Sequence, residues 1–204
     1  MRIIAGTWRG QRLQTPTGRN TRPSSDRLRE ALFSSLHSRL GSFEGLLVLD
    51  AFAGSGALGL EALSRGAAKV VAVEADQKAA IIIESNYKKL SESSQRDNSA
   101  KFAGEMCVIC EDIFALPRAL KGLKADLLFF DPPYDFADEK LCRLLDRLRQ
   151  RGVFADGALI VIERCRTADA QKLLPANFRD LTVKFCGDSS LHFACAPPGV
   201  AQLK

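Results

Sequence analysis

The sequence has no long hydrophobic run, and its first residues do not predict a hydrophobic leader. None of its apolar segments approaches the ~18 residues that a membrane-spanning helix needs. The first residues, Met1 to Arg9, contain no continuous apolar segment ahead of a small-residue cleavage site, so no secretory signal is predicted. The 204 residues are 46% hydrophobic and 26% charged, which is ordinary for a water-soluble chain. We therefore expect a cytoplasmic protein with one principal domain and no membrane partner.

Cysteine and histidine do not form the patterns of a metal or redox site. The six cysteines lie in apolar runs or helical patterns, so reduced, buried thiols are expected. Cys107 and Cys110 have the spacing of a zinc or redox pair, but they lie in a predicted strand, where residues three apart point to opposite faces. No second cysteine pair and no nearby histidine completes a site. We therefore predict no metal cofactor.

Positive charge is concentrated at the N-terminal end. Residues 1–40 contain eight arginines and two acidic residues, whereas the net charge of the whole chain is only +5. The remaining residues are therefore close to neutral. Arginine is planar and binds phosphate through two parallel hydrogen bonds, so this excess favours a surface that faces nucleic acid. A solvated basic face without a partner remains the alternative.

Hydrophobic periodicity predicts a short N-terminal extension, residues 1–25, followed by an α/β domain, residues 26–204. The extension has two short extended segments around a glycine-bearing connection, which predict a β-hairpin and then a loop. Leucines repeat every four residues from a cap at Ser25 or Asp26, which predicts a helix. Beyond it, strands are predicted at 46–50, 70–74, 106–110, 125–131 and 159–163, and helices at 58–65, 78–90, 114–120 and 139–149.

This alternation of apolar strands with helices predicts a Rossmann-like, doubly wound and mostly parallel sheet. The end of the chain differs, because residues 182–185 and 191–194 are joined by a short turn at Gly187 and Asp188. We therefore predict a C-terminal antiparallel hairpin on the parallel sheet. Residues 91–101 are polar without a packing period and are predicted to form a surface loop.

The first predicted strand of the domain ends in a glycine-rich turn that leads into a helix. Gly54, Gly56 and Gly59 match the dinucleotide-binding fingerprint, and Glu74 ends the next strand at the spacing of a ribose-binding acid. A nicotinamide-dependent oxidoreductase is therefore one interpretation. Asp50 opposes it, because a carboxylate ahead of the glycines repels a pyrophosphate and suits the ammonium of a methionine moiety.

The acidic residues at the strand ends favour a ligand in which an amino acid is joined to a nucleoside. On this interpretation Asp50 meets the ammonium directly or through water, and amides near Gly54 and Gly56 meet the carboxylate. Glu74 binds both ribose hydroxyls. One of the two acids that follow the third strand, preferably Asp112, accepts a hydrogen bond from the adenine amino group. Helix capping or simple solvation is the alternative for each acid.

A second constellation, Asp131-Pro132-Pro133-Tyr134, begins where the predicted strand at 125–131 ends. Prolines cannot continue a strand ladder, so the chain must leave the sheet here. The Asp131 carboxylate and the Pro132 carbonyl can accept both N–H groups of an exocyclic base amine, while Tyr134 stacks on the base. Catalysis would then consist of alignment and electrostatic support, with Asp131 or water taking the proton. A tight exit turn without catalytic function is the alternative.

These motifs resemble the RsmD family of bacterial small-subunit ribosomal RNA guanine-N2 methyltransferases. The resemblance extends from Arg2 to about Phe193 and is carried by Arg22-Pro-Ser-Ser-Asp-Arg-Leu-Arg-Glu-Ala-Leu-Phe, Asp50-Ala-Phe-Ala-Gly-Ser-Gly-Ala-Leu-Gly and Asp131-Pro-Pro-Tyr. The glycine motif is general among methyltransferases of this fold. The arginine-rich N-terminal segment is specific to the family.

The resemblance implies a class I methyltransferase fold, S-adenosylmethionine as methyl donor, and the N2 amine of one guanine in 16S rRNA as acceptor. It also implies an assembled or partly assembled small ribosomal subunit as the partner, and we expect the enzyme to act as a monomer. The site residues that it implies are, for the cofactor, Asp50, Phe52, Gly54, Gly56, Glu74 and Asp112; for the guanine, Asp131, Pro132 and Tyr134; and for RNA, Arg9, Arg12, Arg22 and Arg27.

Four other functions remain open at the level of sequence. The same catalytic residues could act on DNA adenine or a protein amide, although the arginine-rich flank disfavours a protein and no separate DNA-reading domain is predicted. A nicotinamide oxidoreductase needs a proton-relay residue, and neither of the two histidines, His37 and His192, lies at a predicted strand end. A catalytically silent RNA-binding module would have no reason to keep both the Asp50 and the Asp131 constellations.

Overall fold

The computed structural model of the protein describes residues 1–16, 26–96, 104–133 and 136–198. The chain divides into two compact units, residues 1–113 and residues 114–204. In the described part of the chain, no helix combines the length and the apolar character that crossing a membrane requires.

The first unit is built around three parallel strands. Its elements are α1 (Asp26–Leu40), β1 (Leu47–Asp50), α2 (Ala57–Ser64), β2 (Lys69–Val73), α3 (Gln77–Arg96) and β3 (Glu105–Ile109). The strands lie side by side in the order β3-β2-β1. Val48, Leu49 and Val71 are buried, as expected for strands that are covered on both faces. The parallel strands predicted for this part of the chain are confirmed.

The N-terminal extension forms the predicted hairpin and packs on α2. Its two arms pair antiparallel through Arg2 and Arg12. The Glu61 carboxylate of α2 accepts hydrogen bonds from the backbone N–H groups of Ile4 and Ala5, at 2.7 and 3.0 Å. These bonds fix the hairpin to the helix that follows the glycine-rich turn. The division of the chain at residue 25 stays a prediction.

The second unit contains four strands among its described residues. Its elements are two short 3-10 helices (Ile113–Ala115 at the unit boundary, and Arg118–Leu120), β4 (Ala125–Phe130), α4 (Asp138–Gln150), β5 (Phe154–Cys165), α5 (Ala170–Leu173), β6 (Arg179–Cys186) and β7 (Ser189–Cys195). The strand order is β4-β5-β7-β6. β4 and β5 are parallel, while β7 runs antiparallel to β5 and β6. The predicted C-terminal antiparallel hairpin is therefore confirmed, and the helix α5 was not predicted.

Part of the predicted surface loop at 91–101 is helical, which corrects the sequence analysis. α3 continues to Arg96. Ser91 and Ser93 donate hydrogen bonds from their hydroxyl groups to carbonyls one turn earlier, so these polar residues are satisfied within the helix. Ser94 accepts a hydrogen bond from the Trp8 indole at 2.6 Å, which ties this last part of the helix to the hairpin. Residues 97–101 lie outside the described residues.

The predicted helix at 114–120 is wrong. Two separate 3-10 helices stand there, divided by Leu116, which has a φ of 52°, and by Pro117. A leucine in the left-handed region ends regular helix geometry, and proline cannot donate the hydrogen bond that an α-helix would need.

The prediction that the cysteines are buried is also wrong. All six thiols are free, but five are half-buried and Cys110 is exposed. The apolar sequence around them comes largely from strand ends and from the exposed edge strand β6, where an apolar neighbour does not imply burial.

Candidate functional site

The glycine-rich turn between β1 and α2 has a backbone that only glycine adopts easily. Gly54 and Gly56 have φ angles of 54° and 76°. A Cβ atom on Gly56 would lie 2.9 Å from the Ile83 side chain of α3, and a Cβ on Gly59 would lie 2.8 Å from Val70. Gly56 and Gly59 therefore let the turn pack closely on α3 and β2, and the role of its amides in binding a carboxylate stays a prediction.

Glu74 lies directly beyond β2 and is bonded to this turn. One carboxylate oxygen accepts the Gly54 N–H at 2.7 Å, and the other accepts the Asp76 N–H at 2.9 Å. The side chain is half-buried. Each oxygen keeps a further lone pair, so a carboxylate held in this way can also accept a pair of hydroxyl groups. The structure thus brings Glu74 and Gly54 together.

Asp50 is a buried carboxylate whose hydrogen bonds are half satisfied. Its side chain ends β1 at 1% exposure. Oδ2 accepts the Gly59 N–H at 3.1 Å, whereas Oδ1 is buried with no hydrogen-bond partner among the described residues. The pKa of Asp50 is raised to about 7, chiefly because burial disfavours the charged form; the Gly59 N–H works against this shift, and the nearby Glu74 charge adds to it. A cationic ligand group would supply both the charge and the hydrogen bond that Oδ1 needs.

Phe52 and Asp112 are the other described residues predicted to bind the cofactor. Phe52 is half-buried in the turn between Asp50 and Gly54. Asp112 follows the end of β3 and is exposed. Its role in binding an adenine amine stays a prediction.

Asn86 supports the glycine-rich turn from α3, and the sequence analysis did not identify it. It lies on α3 at 2% exposure. Its Nδ2 donates to the Ser55 carbonyl at 3.3 Å and to the Gln14 carbonyl at 2.9 Å, and its Oδ1 accepts the Gln14 N–H at 2.8 Å. One buried amide therefore connects the N-terminal hairpin to the glycine-rich turn. The available signal was its spacing from Ile83 and Leu90, which places it on the apolar face of the helix.

We expect Asn86→Ala to weaken ligand binding at the glycine-rich turn as well as stability. The substitution removes the amide that bonds the Ser55 carbonyl and the Gln14 backbone groups, and an unsatisfied group costs about 1–3 kcal/mol to the extent that it is buried. Calorimetric titration of the nucleoside ligand should show a several-fold loss of affinity. Ser94→Ala is the control, because it removes the Trp8 contact to the hairpin without touching Ser55. Wild-type affinity in Asn86→Ala would show that the residue serves stability alone.

The arginines predicted to contact RNA differ in where they lie. Arg9 and Arg12 are exposed on the N-terminal hairpin, and Arg27 is exposed on α1. Arg22 lies outside the described residues. Arg29, which adds to the N-terminal excess of charge, is fully buried, and it donates to the Arg2 carbonyl and to Asp26. It therefore belongs to the interior and does not extend the basic surface.

The predicted catalytic motif lies in the second unit, after β4. Asp131 is half-buried, Pro132 is buried and Pro133 is exposed. The strand ends at Phe130, so the prolines leave the ladder where the sequence analysis expected. Tyr134 lies outside the described residues, and its stacking role stays a prediction.

Comparison with known proteins gives one consistent result. Residues 1–195 match the family model described as conserved hypothetical protein 95. The chain is 35% identical to ribosomal RNA small subunit methyltransferase D of Escherichia coli strain K12, over 87% of this chain and 81% of that protein. It is 33% identical to the protein of the same name from Haemophilus influenzae, over 92% of this chain and 89% of that protein.

The solved structures agree with this result. The structure of yhhF from Escherichia coli superimposes with a TM-score of 0.73 at 31% identity, and covers 97% of this chain and 98% of that one. This similarity confirms the predicted Rossmann-like fold over nearly the whole chain.

Proposed function

Because the chain belongs to the ribosomal RNA small subunit methyltransferase D family, we propose that it transfers a methyl group from S-adenosylmethionine to the exocyclic N2 amine of a guanine in 16S rRNA. The observation that carries the proposal is the buried Asp50 carboxylate, whose Oδ1 lies without a partner among the described residues beside the turn that Glu74 holds. A dinucleotide would bring a pyrophosphate to this turn, whereas S-adenosylmethionine brings an ammonium group.

The residues of the first unit fit the cofactor by chemistry. Asp50 pairs with the ammonium, the amides near Gly54 and Gly56 meet the methionine carboxylate, and Glu74 accepts the ribose hydroxyls. Asp112 accepts from the adenine amino group. When bound, S-adenosylmethionine supplies an electrophilic methyl group on a sulfonium.

The residues after β4 act on the guanine. The Asp131 carboxylate and the Pro132 carbonyl accept the two N–H groups of N2, so the nitrogen is oriented and its developing positive charge is stabilised. Asp131 or water then takes the proton that this nitrogen loses. Tyr134 stacks on the base, which must leave its helix or come from a loop to be reached.

The N-terminal hairpin provides the RNA contact. Arg9 and Arg12 are exposed, and the bonds from Ile4 and Ala5 to Glu61 hold their hairpin in place. Arginines on a fixed backbone can bind phosphates with less ordering cost than arginines on a free tail. Arg22 and Arg27 extend this proposed contact.

We expect Arg9→Glu combined with Arg12→Glu to lower RNA affinity and to reduce its dependence on salt. Losing one or two phosphate contacts should lower the slope of log K against log salt by about 1 to 2. Cofactor affinity should not change. The matched control places the same charge change at Arg118 and Lys121, which are exposed in the second unit. An equal loss of RNA affinity in that control would mean that the net charge of the protein decides the affinity. The assignment of Arg9 and Arg12 as RNA contacts would then be refuted.

The substrate context is tested by supplying labelled S-adenosylmethionine with small subunits that lack the modification, with free 16S rRNA, or with DNA. We expect label in the RNA of the small subunit. Label in free rRNA alone would overturn the small ribosomal subunit as the substrate, and label in ribosomal protein or DNA would overturn the proposed substrate class.

A further inference from the structure

A buried arginine on β5 is bonded to the segment that follows the catalytic motif. Arg164 is 3% exposed. An arginine is rarely buried to this degree unless its charge and its N–H groups are paired. Its partners therefore show what the residue holds.

All the hydrogen bonds described for the Arg164 side chain go to one short stretch of chain between β4 and α4. Nη1 donates to the Pro133 carbonyl at 3.0 Å, and Nη2 donates to the Phe136 carbonyl. Nε donates to Asp138 at the start of α4, also at 3.0 Å, and the two side chains form an ion pair. The Arg164 guanidinium is therefore bonded to the chain before residue 134, at Pro133, and after residue 135, at Phe136 and Asp138.

Two further contacts fix the same stretch. The Phe136 N–H donates to the Pro133 carbonyl at 3.0 Å, so this carbonyl accepts both from Arg164 and from the backbone three residues later. The Phe136 ring stacks on Phe114 at a centroid distance of 5.0 Å. Pro133 is directly bonded to Pro132, whose carbonyl is a proposed acceptor for the guanine amine. The position of Pro133 therefore sets the direction in which that carbonyl points.

We propose that Arg164 is a positioning residue for methyl transfer, holding the chain after Asp131 and Pro132 so that their acceptors keep the geometry that the guanine amine needs. The inference rests on the proposed function of these two residues. A planar guanidinium reaches three acceptors in fixed directions, whereas a lysine ammonium at the same position is a single point charge. The arrangement thus requires arginine and not merely a positive charge.

The inference is tested with Arg164→Lys. A small displacement of catalytic acceptors costs up to about 100-fold in rate, so we expect kcat per folded molecule to fall at least about tenfold. The dissociation constant of S-adenosylmethionine should stay within about twofold, because cofactor binding is assigned to other residues. Asp138→Asn is the second variant. It keeps the arginine but removes its counter-charge, and we expect a smaller loss in kcat in the same direction.

A destabilised control distinguishes a positioning role of Arg164 from a purely structural one. Leu148→Ala truncates a fully buried leucine near the C-terminal end of α4, ten residues along the helix from Asp138. It should lower Tm and leave kcat per folded molecule unchanged. If Arg164→Lys also lowers Tm but keeps wild-type kcat, the positioning role is refuted.

Asp131→Ala in the same assay separates the catalytic role of Asp131 from the positioning role of Arg164. Loss of turnover in Asp131→Ala with wild-type kcat in both Arg164→Lys and Asp138→Asn would overturn the inference and keep the proposed function. Full turnover in Asp131→Ala would overturn the catalytic assignment, and the positioning role of Arg164 would fall with it.

Discussion

We expect Asp131→Ala to abolish methyl transfer and to leave S-adenosylmethionine bound. The substitution removes one of the two proposed acceptors for the guanine amine and also the group that can take its proton. Positioned proton transfer alone contributes about 10²–10⁴ in rate, so we expect kcat to fall at least about 100-fold. The dissociation constant of the cofactor should change by no more than about twofold, because its binding is assigned to the first unit. Single-turnover transfer to small subunits and calorimetry of the cofactor measure the two effects.

Asp131→Asn is the matched control for charge. The amide keeps an acceptor oxygen and the shape of the side chain but cannot take a proton. An activity between those of wild type and Asp131→Ala would show that orientation and proton transfer both contribute. Weak cofactor binding with intact turnover in Asp131→Ala would contradict the assignment of roles.

Asp50→Asn is expected to weaken cofactor binding while it stabilises the free protein at neutral and higher pH. In the wild type the carboxylate is buried, and its pKa is raised to about 7. The folded protein therefore binds a proton more tightly than the unfolded chain does. The stability linked to this group is fully present below the ordinary pKa of aspartate and is lost as the pH rises through about 7. An asparagine has no charge to bury, so its advantage in unfolding free energy should grow between pH 5 and pH 8.

The same carboxylate gives the cofactor affinity a pH dependence. An ammonium prefers the ionised form of Asp50, and an α-amino group stays largely protonated below its pKa of about 7.7–8.0. The ionised fraction of a group with a pKa of about 7 rises about fivefold between pH 6 and pH 7. We therefore expect the affinity for S-adenosylmethionine to rise about fivefold over this interval in the wild type. Asp50→Asn should lose this dependence and bind at least about tenfold more weakly at pH 7. An unchanged pH profile in the variant would refute the ammonium assignment.

The order of elements and the glycine-rich turn could be predicted from local patterns. The helix α1 follows from leucines at four-residue spacing, and β1, β2 and β4 follow from short apolar runs that end in an acid or a proline. The C-terminal hairpin follows from a short turn at Gly187 and Asp188. In each case the signal lies within a few residues, so no tertiary contact was needed.

The sequence-based predictions fail, or miss a residue, where contacts between residues far apart in the chain determine the local structure or the burial of a side chain. α3 continues past Leu90 because its serines bond to the helix backbone and Trp8 reaches Ser94, 86 positions along the chain. Arg164 was not singled out from the sequence, because its partner Asp138 lies 26 residues away. Arg29 adds to the N-terminal charge excess, but the folded hairpin buries it against the Arg2 carbonyl. Composition reports such residues as charged without showing which of them face solvent.

The central claim concerns the atom that receives the methyl group, and nucleoside analysis of the product tests it most directly. Small subunits that lack the modification are incubated with the protein and labelled S-adenosylmethionine, and their 16S rRNA is digested to nucleosides. Our account predicts that the label is recovered as N2-methylguanosine and that Asp131→Ala yields none. Label in N6-methyladenosine would contradict the account, because the fold and the amine-directed site would remain but the proposed acceptor would be wrong.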